Sequence, residues 1–290
     1  MCDDFTAIED EQALAARGLS RREFAAIGAA GLIASAVSAQ SAAKELSLVV
    51  DHAMIKTPDG VCDAMLFRPE RGKYPAVIMW PDVAGMRPAY EGMALLLASS
   101  GYAVLLVNHY YRVAKAPLLA TMLEWRTPEG QEKLKPAIAS LSAQGTARDT
   151  EAFVNWLDRH KAVSTKRKIG TQGYCQTGAF AIRAAAARPD RIGVAASFHG
   201  GGLVTQAPDS PHKLFGKSKA SFLIAIARND DARSPADKDA LRAAAAAARR
   251  RAVIDVYNAD HGWCTSDAPS FDNGEANRAR AHLLELYKKL

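Results

Sequence analysis

The regular alternation of apolar, strand-like runs with helical stretches is the feature that most restricts what this chain can fold into. Residues 74–80 are continuously apolar, as expected for a strand that is buried on both faces of a sheet, and 102–108 is predicted to be the next buried strand. The predicted strands are 46–57, 62–69, 74–80, 102–108, 167–174, 192–200, 220–227 and 252–258. Strands that alternate with helices predict an α/β fold with a mostly parallel, doubly wound sheet.

Two parts of the chain depart from this alternation. The turn sequence "PDG" separates the first two predicted strands, which favours an antiparallel hairpin at one edge of the sheet. Between 115 and 143, Pro117, Pro128 and Pro136 break short helices, which indicates an insertion or a lid. The other predicted helices are 88–100, 146–160, 179–190, 235–249 and 272–289. Residues 45–290 contain no linker-like composition and no repeat, so they are predicted to form a single domain.

The N-terminal segment 1–39 resembles a bacterial twin-arginine signal peptide. Paired arginines in "SRREF" (20–24) precede a short, moderately apolar stretch at 25–39 that ends in small residues. That stretch is too short to span a bilayer, so no stable membrane anchor is expected. The resemblance implies the twin-arginine export machinery as a partner and a periplasmic or secreted location. The acidic residues in 1–19 depart from such signals, and an amphipathic or disordered N-terminus on a cytoplasmic protein is the alternative.

Charge and cysteine content exclude several classes of function. The net charge of +6 is mildly basic. The sequence contains no stripe of Lys and Arg interleaved with aromatics, so no nucleic-acid partner is expected. Beyond Cys2, the cysteines are Cys62, Cys175 and Cys264, with no CxxC pair and no His/Cys cluster at metal spacing. We therefore expect no metal and no cofactor. A disulfide between Cys62 and Cys264 is conceivable, but two ordinary buried thiols are favoured.

Chemically active side chains follow three of the predicted strands. Cys175, in "GYCQTG", lies between a strand and a helix, which is the context of a nucleophile elbow. The acidic pair Asp230 and Asp231 follows a later strand, and His261, in "NADHGW", follows the next one. A thiol needs a base at neutral pH, and a carboxylate can orient a histidine base. The order nucleophile, acid, histidine is that of the α/β-hydrolases.

Taken together, "GYCQTG", "DDARSP" and "HGW" resemble the dienelactone hydrolases, the cysteine-nucleophile branch of the α/β-hydrolase fold. The resemblance covers about 45–290 and implies that Cys175 attacks an ester or lactone carbonyl while His261 transfers the proton. Asp231 would orient His261. The oxyanion hole would combine the backbone N–H groups of Gln176 and Val83.

Some assignments within this resemblance remain open. The family's Asp-x-x-x-Pro spacing to Pro235 favours Asp231 over Asp230 by a small margin. Asp82 occupies the position of a family glutamate that interacts with the resting thiol, so it is expected to modulate the thiol. Thr177 stands where the family has glycine, which is expected to crowd the packing of strand and helix.

Two further residues are candidates for binding the substrate. Arg112, which ends "NHYYR", matches the first of two family arginines that bind a substrate carboxylate; no arginine follows His261 closely. His199, in "SFHGG", also ends a strand but precedes the acid in the chain. It is therefore expected to line the pocket or to serve the structure. Tyr110 and Tyr111 are expected to be packing residues or pocket walls.

The predicted function is hydrolysis of a small-molecule ester or lactone through an acyl-thioester, by a monomer or a homodimer. Asp82 and Thr177 motivate an alternative, a non-catalytic small-molecule-binding protein on the same fold. Thiol redox chemistry is disfavoured because no second cysteine lies close to Cys175 in the sequence.

Overall fold

A computed structural model of the protein describes residues 46–290, in which eight strands form one mixed sheet. The strands are β1 (Leu48–Thr57), β2 (Gly60–Pro69), β3 (Ala76–Trp80), β4 (Ala103–Val107), β5 (Ile169–Tyr174), β6 (Ile192–Phe198), β7 (Ser221–Ala227) and β8 (Ala252–Tyr257). Their order across the sheet is β1-β2-β4-β3-β5-β6-β7-β8. The pairs β1–β2 and β2–β4 are antiparallel, and all other pairs are parallel. The predicted fold, including its edge hairpin, is confirmed. The predicted signal peptide lies outside the described residues.

Helices cover both faces of this sheet. They are α1 (Pro88–Ala98), α2 (Met122–Trp125), α3 (Pro128–Ala139), α4 (Ala143–Arg159), α5 (Gly178–Ala187), α6 (Arg228–Arg233), α7 (Asp237–Ala247) and α8 (Asn273–Tyr287). Along β3, Ile78 and Trp80 face one hydrophobic core, whereas Val77 and Met79 face the other. This alternation follows from the two-residue period of a strand, and it explains why β3 is apolar throughout. The cores are closed by α4, α5 and α7 on one face and by α1 and α8 on the other.

The segment predicted as an insertion or a lid contains α2 and α3. Leu118, Met122, Trp125 and Leu134 from this segment form a third apolar cluster with Val83, which follows β3. The insertion therefore packs over the carboxyl end of the sheet, where the candidate catalytic residues are.

The described part of the chain contains three cysteines, and none of them forms a disulfide. Cys62, Cys175 and Cys264 are buried thiols. The prediction that Cys62 and Cys264 are ordinary buried thiols is confirmed. Between 46 and 290, no helix combines the length and the apolar character that crossing a membrane would require.

Candidate active site

Cys175 lies on a tight turn between β5 and α5. Its φ of 54° is in the left-handed region, which a residue with a side chain adopts at a cost and which recurs at functional sites. Glycines on both sides permit the turn: a Cβ at Gly173 would overlap the carbonyl of Thr177, and one at Gly178 would overlap Ser197. The sequence around Cys175 thus lifts the thiol from the sheet at the start of a helix.

Thr177 is compatible with this turn because its backbone needs no glycine. Its φ is −83°, an ordinary value for a residue with a side chain. The backbone N–H of Tyr174 donates to the Thr177 hydroxyl at 2.9 Å, and that hydroxyl lies 2.9 Å from the carbonyl oxygens of Trp80 and Tyr174. The expected crowding is not found. The hydroxyl instead fastens the turn to the end of β3.

His199 and the residues after it hold the Cys175 peptide from the other side. The backbone N–H of Cys175 donates to Nδ1 of His199 at 3.1 Å, and the N–H of Gly201 donates to the Cys175 carbonyl at 3.3 Å. His199 itself has a φ of 40° at the end of β6, where its N–H donates to the Ala225 carbonyl at 2.8 Å. Two strained residues thus support each other across neighbouring strands.

His261 is oriented by Asp230. Nδ1 of His261 lies 2.7 Å from Oδ2 of Asp230, and the side-chain oxygen of Asn229 accepts from the His261 N–H at 2.9 Å. Arg233 donates to the other oxygen of Asp230 at 2.7 Å. Burial acts to raise the pKa of Asp230, but the hydrogen bond and charge of His261, with Arg233, lower it to about 2. Asp230 is therefore a carboxylate at neutral pH.

Asp231, the acid preferred from the sequence, points elsewhere. Nζ of Lys238 donates to its two oxygens at 2.7 and 2.8 Å. Asp230 and Asp231 are neighbours on α6, and successive helical residues project about 100° apart, so one face of the helix presents one of them to His261. The spacing to Pro235 selected the wrong neighbour, and Asp230 replaces Asp231 as the candidate acid.

The thiol and the histidines meet at one small cavity. The cavity measures about 10 Å³ and is lined by Asp82, Met122, Arg126, Cys175, His199, His261, Gly262 and Ala268. The ring centroids of His199 and His261 are 4.8 Å apart. A space of this size is about that of one water molecule, so a substrate has to displace part of the lining. Met122 and Arg126, two of the lining residues, belong to the insertion, which packs over the carboxyl end of the sheet.

The two residues predicted for the oxyanion hole are joined by Tyr110. Its hydroxyl donates to the Val83 carbonyl at 2.9 Å and accepts from the side-chain nitrogen of Gln176 at 2.6 Å. Val83 and Gln176 follow the adjacent parallel strands β3 and β5. Tyr110 therefore fixes the distance between the loops that carry them, a role that its sequence context did not indicate.

Asp82 lines the cavity, but both of its carboxylate oxygens are engaged by Arg87. The Arg87 guanidinium donates to them at 2.6 and 3.0 Å and to the two oxygens of Asp267 at 2.8 Å each. The side chains of Arg87 and Asp82 are almost fully buried. Asp267 also accepts from the backbone N–H of Met122 at 3.0 Å. One arginine thus connects the loop after β3, the loop after β8 and the insertion.

Arg112 is not among the residues that line the cavity. It donates to Asp149 at 2.8 and 2.9 Å and to Asp59 at 2.6 and 3.1 Å. The guanidinium found in the lining is that of Arg126, which directly follows α2. Arg126, and not Arg112, is therefore the arginine in a position to meet a molecule in the cavity. The irregular sequence of the insertion contains no signal that would have selected it.

Known proteins resemble this chain in sequence and in structure. The model of the dienelactone hydrolase family matches residues 62–290. The chain is 30% identical over 138 residues to the probable 2-oxo-3-(5-oxofuran-2-ylidene)propanoate lactonase of Bradyrhizobium sp., across 47% of this chain and 50% of that protein. It is 24% identical over 123 residues to the carboxymethylenebutenolidase of Rhodococcus opacus, across 42% and 43% of the two chains. The matches thus span half or less of these relatives' lengths.

The fold is shared with a crystal structure from Klebsiella pneumoniae subsp. pneumoniae MGH 78578 that is assigned by name to the dienelactone hydrolases. The two superpose with a TM-score of 0.72 over 84% of this chain and 100% of the other, at 19% sequence identity. At this identity the likeness concerns the fold alone.

Proposed function

The chain belongs to the dienelactone hydrolase family, and we propose that it hydrolyses small-molecule esters or lactones with Cys175 as nucleophile, His261 as base and Asp230 as the acid that orients it. The observation that carries the proposal is the convergence of Cys175, on its left-handed turn, with the His261–Asp230 pair at one cavity. A histidine that is held by a carboxylate keeps its second ring nitrogen available to accept a proton.

The proposed reaction has two steps in which bonds and protons balance. His261 accepts the Cys175 proton while sulfur attacks the carbonyl carbon, so a C–S bond forms as the C–O bond to the leaving group breaks. His261 then gives that proton to the leaving oxygen, which releases an alcohol or opens a lactone ring. Water, deprotonated by His261, then attacks the thioester carbonyl, so a new C–O bond replaces the C–S bond. The carboxylic acid is released, and His261 returns its proton to the Cys175 sulfur.

The developing oxyanion would be bound by the backbone N–H groups of Val83 and Gln176. Tyr110 supports this assignment because it connects the two loops through hydrogen bonds of 2.9 and 2.6 Å. Donors that are placed before the reaction starts typically contribute about 3–4 kcal/mol each to lowering the barrier.

Asp82 is proposed to shape this loop and not to hold the thiol. Its oxygens are satisfied by Arg87, and one of them also accepts from the N–H of Ala84, the residue after Val83, at 3.0 Å. A carboxylate that is engaged in this way has little capacity left for a thiol. We further propose that Arg126 contacts the substrate, since it lines the cavity beside Cys175.

The proposal is tested by Cys175→Ala, with Cys264→Ala as a matched control at another buried cysteine. Hydrolysis of a panel of aryl esters and lactones should fall to the uncatalysed rate in Cys175→Ala and stay within about threefold in Cys264→Ala, while circular dichroism stays unchanged for both. Loss of the nucleophile removes the covalent path altogether. Full activity in Cys175→Ala would exclude the thiol mechanism.

Measurements on the wild-type protein distinguish an enzyme from the alternative, a non-catalytic binding protein. A binding protein would shift in melting temperature with a lactone but would leave it intact after prolonged incubation at micromolar protein. Rapid alkylation of Cys175 by iodoacetamide, relative to Cys62 and Cys264, would favour the enzyme. For those two thiols burial raises the pKa well above its usual value, so both should react slowly.

We also propose export by the twin-arginine machinery, on the strength of "SRREF" and the stretch at 25–39. N-terminal sequencing of protein recovered from the periplasm of a bacterial host tests it. A mature start close to Gln40 is expected, and an intact Met1 would exclude cleavage there.

A further inference from the structure

The hydrogen bond between the Cys175 backbone and His199 determines where the proton of His199 is. A backbone N–H can only donate, so Nδ1 of His199 must present its lone pair to Cys175 at 3.1 Å. A neutral imidazole carries one proton, which therefore resides on Nε2. The contact defines His199 as the Nε2–H tautomer.

His199 also stays neutral throughout the ordinary pH range. Burial lowers the pKa of His199 well below its usual value, and the neighbouring His261 lowers it further. Only 1% of the residue is exposed. His199 is thus a permanent donor at Nε2 and, unlike His261, has no carboxylate within salt-bridge distance among residues 46–290.

The Nε2–H group of His199 is buried and has no hydrogen-bond acceptor within the described part of the chain. A buried donor without a partner usually costs about 1–3 kcal/mol, and such groups in native proteins call for an explanation. The residue lines the cavity that Cys175 and His261 share. An acceptor for Nε2–H can therefore come from a molecule that enters this cavity.

The sheet order indicates which substrate atom this acceptor is. Strands β3 and β6 lie on opposite sides of β5, so Val83 and His199 flank Cys175 from opposite sides. If the carbonyl oxygen of the substrate points to the Val83 side, the other substituents of the reacting carbon, including the leaving-group oxygen, point toward β6. On that side the ring of His199 lies 4.8 Å from the ring of His261, which protonates the leaving oxygen in the proposed reaction.

We infer that the Nε2–H group of His199 donates a hydrogen bond to the leaving-group oxygen of the substrate. As the C–O bond breaks, its electron pair moves to that oxygen, and the His199 donor stabilises the growing negative charge until His261 delivers its proton. The inference rests on the proposed function. It adds a second, non-titrating donor to the departing oxygen and selects substrates with poor leaving groups, such as alkyl esters and lactones.

Two substitutions separate the two nitrogens of His199. In His199→Asn, the side-chain oxygen can replace Nδ1 as the acceptor for Cys175, but no donor remains at the position of Nε2. In His199→Gln, the amide nitrogen can replace Nε2 as donor, but the acceptor for Cys175 is displaced. His52→Asn, at an exposed histidine of β1, serves as the matched control.

The measurement is kcat/KM for a series of aryl and alkyl acetates with leaving groups of increasing pKa, together with the rate of Cys175 alkylation by iodoacetamide. For His199→Asn, alkylation should stay within about twofold of wild type. Hydrolysis should fall about fivefold for nitrophenyl esters and about 100-fold for alkyl esters, in line with the loss of one donor to a developing charge. His199→Gln should retain the wild-type dependence on leaving-group pKa even where its overall rate is lower.

The inference would be overturned if His199→Asn lowered kcat/KM equally for all leaving groups, or if it lowered alkylation and hydrolysis in parallel. Either result would mean that His199 only supports the turn at Cys175. Wild-type hydrolysis of alkyl esters by His199→Asn would overturn it as well, and would point to the neighbouring Trp263 ring, 5.3 Å away, as the partner of Nε2–H. If His199→Asn does not fold, an altered leaving-group dependence in His199→Gln decides against the donor. Absence of any hydrolysis by the wild type would instead refute the proposed function.

Discussion

Two assemblies flank Cys175, and each pairs carboxylate with a nitrogen-bearing side chain, an imidazole in one and a guanidinium in the other. On the β7–β8 side, Asp230 holds His261 at 2.7 Å. On the β3 side, Asp82 and Asp267 share the guanidinium of Arg87 through bonds of 2.6 to 3.0 Å.

This difference determines which assembly can take part in the reaction and which can only hold the structure. An imidazole gains and loses a proton near neutral pH, whereas a guanidinium stays charged. The His261 side can therefore move a proton, and the Arg87 side can only fix positions. Arg87 fixes three segments. Asp82 accepts from the N–H of Ala84 in the loop after β3, and Asp267, in the loop after β8, accepts from the N–H of Met122 in the insertion.

The largest expected effect is on catalysis, through Asp230→Asn. The amide cannot hold His261 in the required tautomer, and equivalent changes in catalytic triads lower kcat by about 10⁴-fold. Asp231→Asn is the matched control, since Asp231 lies next to Asp230 on α6 but pairs with Lys238 of α7, and it should stay within about threefold of wild type. The measurement is kcat/KM for an activated ester. A larger loss in Asp231→Asn than in Asp230→Asn would restore the assignment made from the sequence.

Next in size is the loss of folding stability in Arg87→Met. The variant leaves Asp82 and Asp267 buried without their cation, and breaking a buried pair in this way typically costs about 3–5 kcal/mol. Arg242→Met is the control, because Arg242 and Asp239 form an exposed pair that is worth less than about 1 kcal/mol. Urea denaturation gives the free energy of unfolding of both variants. Equal values would show that the Arg87 assembly does not hold the loops together.

The two assemblies were not equally visible in the sequence. Cys175 and His261 each follow a predicted strand within a regular alternation of strands and helices, so their meeting at the carboxyl edge of the sheet could be predicted from that pattern. The choice between Asp230 and Asp231 depends on which face of α6 is turned toward His261. The spacing to Pro235 does not determine that face. Arg87 and Asp267 are far apart in the chain, and their pairing follows from how two loops fold onto each other. Thr177 looked unfavourable because the sequence shows a missing glycine but not the carbonyl groups that its hydroxyl meets.

The smallest expected effect concerns His109, a buried titratable group that, in contrast to both assemblies, has no hydrogen-bond partner at either ring nitrogen among residues 46–290. Burial lowers the pKa of His109 from its ordinary 6.5 to about 3. The unfolded chain binds this proton more readily than the folded protein. The free energy of unfolding is therefore unaffected by His109 above pH 6.5 and decreases as the pH falls from 6.5 toward 3.

His109→Leu removes both the unpartnered nitrogens and this titration. At pH 8 the variant should be about 1–2 kcal/mol more stable than wild type, since a buried polar group without a partner is replaced by an apolar one. At pH 5 the advantage should grow by about 2 kcal/mol, because the penalty for keeping His109 neutral, about 1.36 kcal/mol per pH unit below 6.5, is gone. Urea denaturation at the two pH values measures both numbers. An advantage that does not change with pH would mean that folding leaves the pKa of His109 unchanged because its ring nitrogens find partners, and the contrast with Asp230 and Arg87 would then disappear.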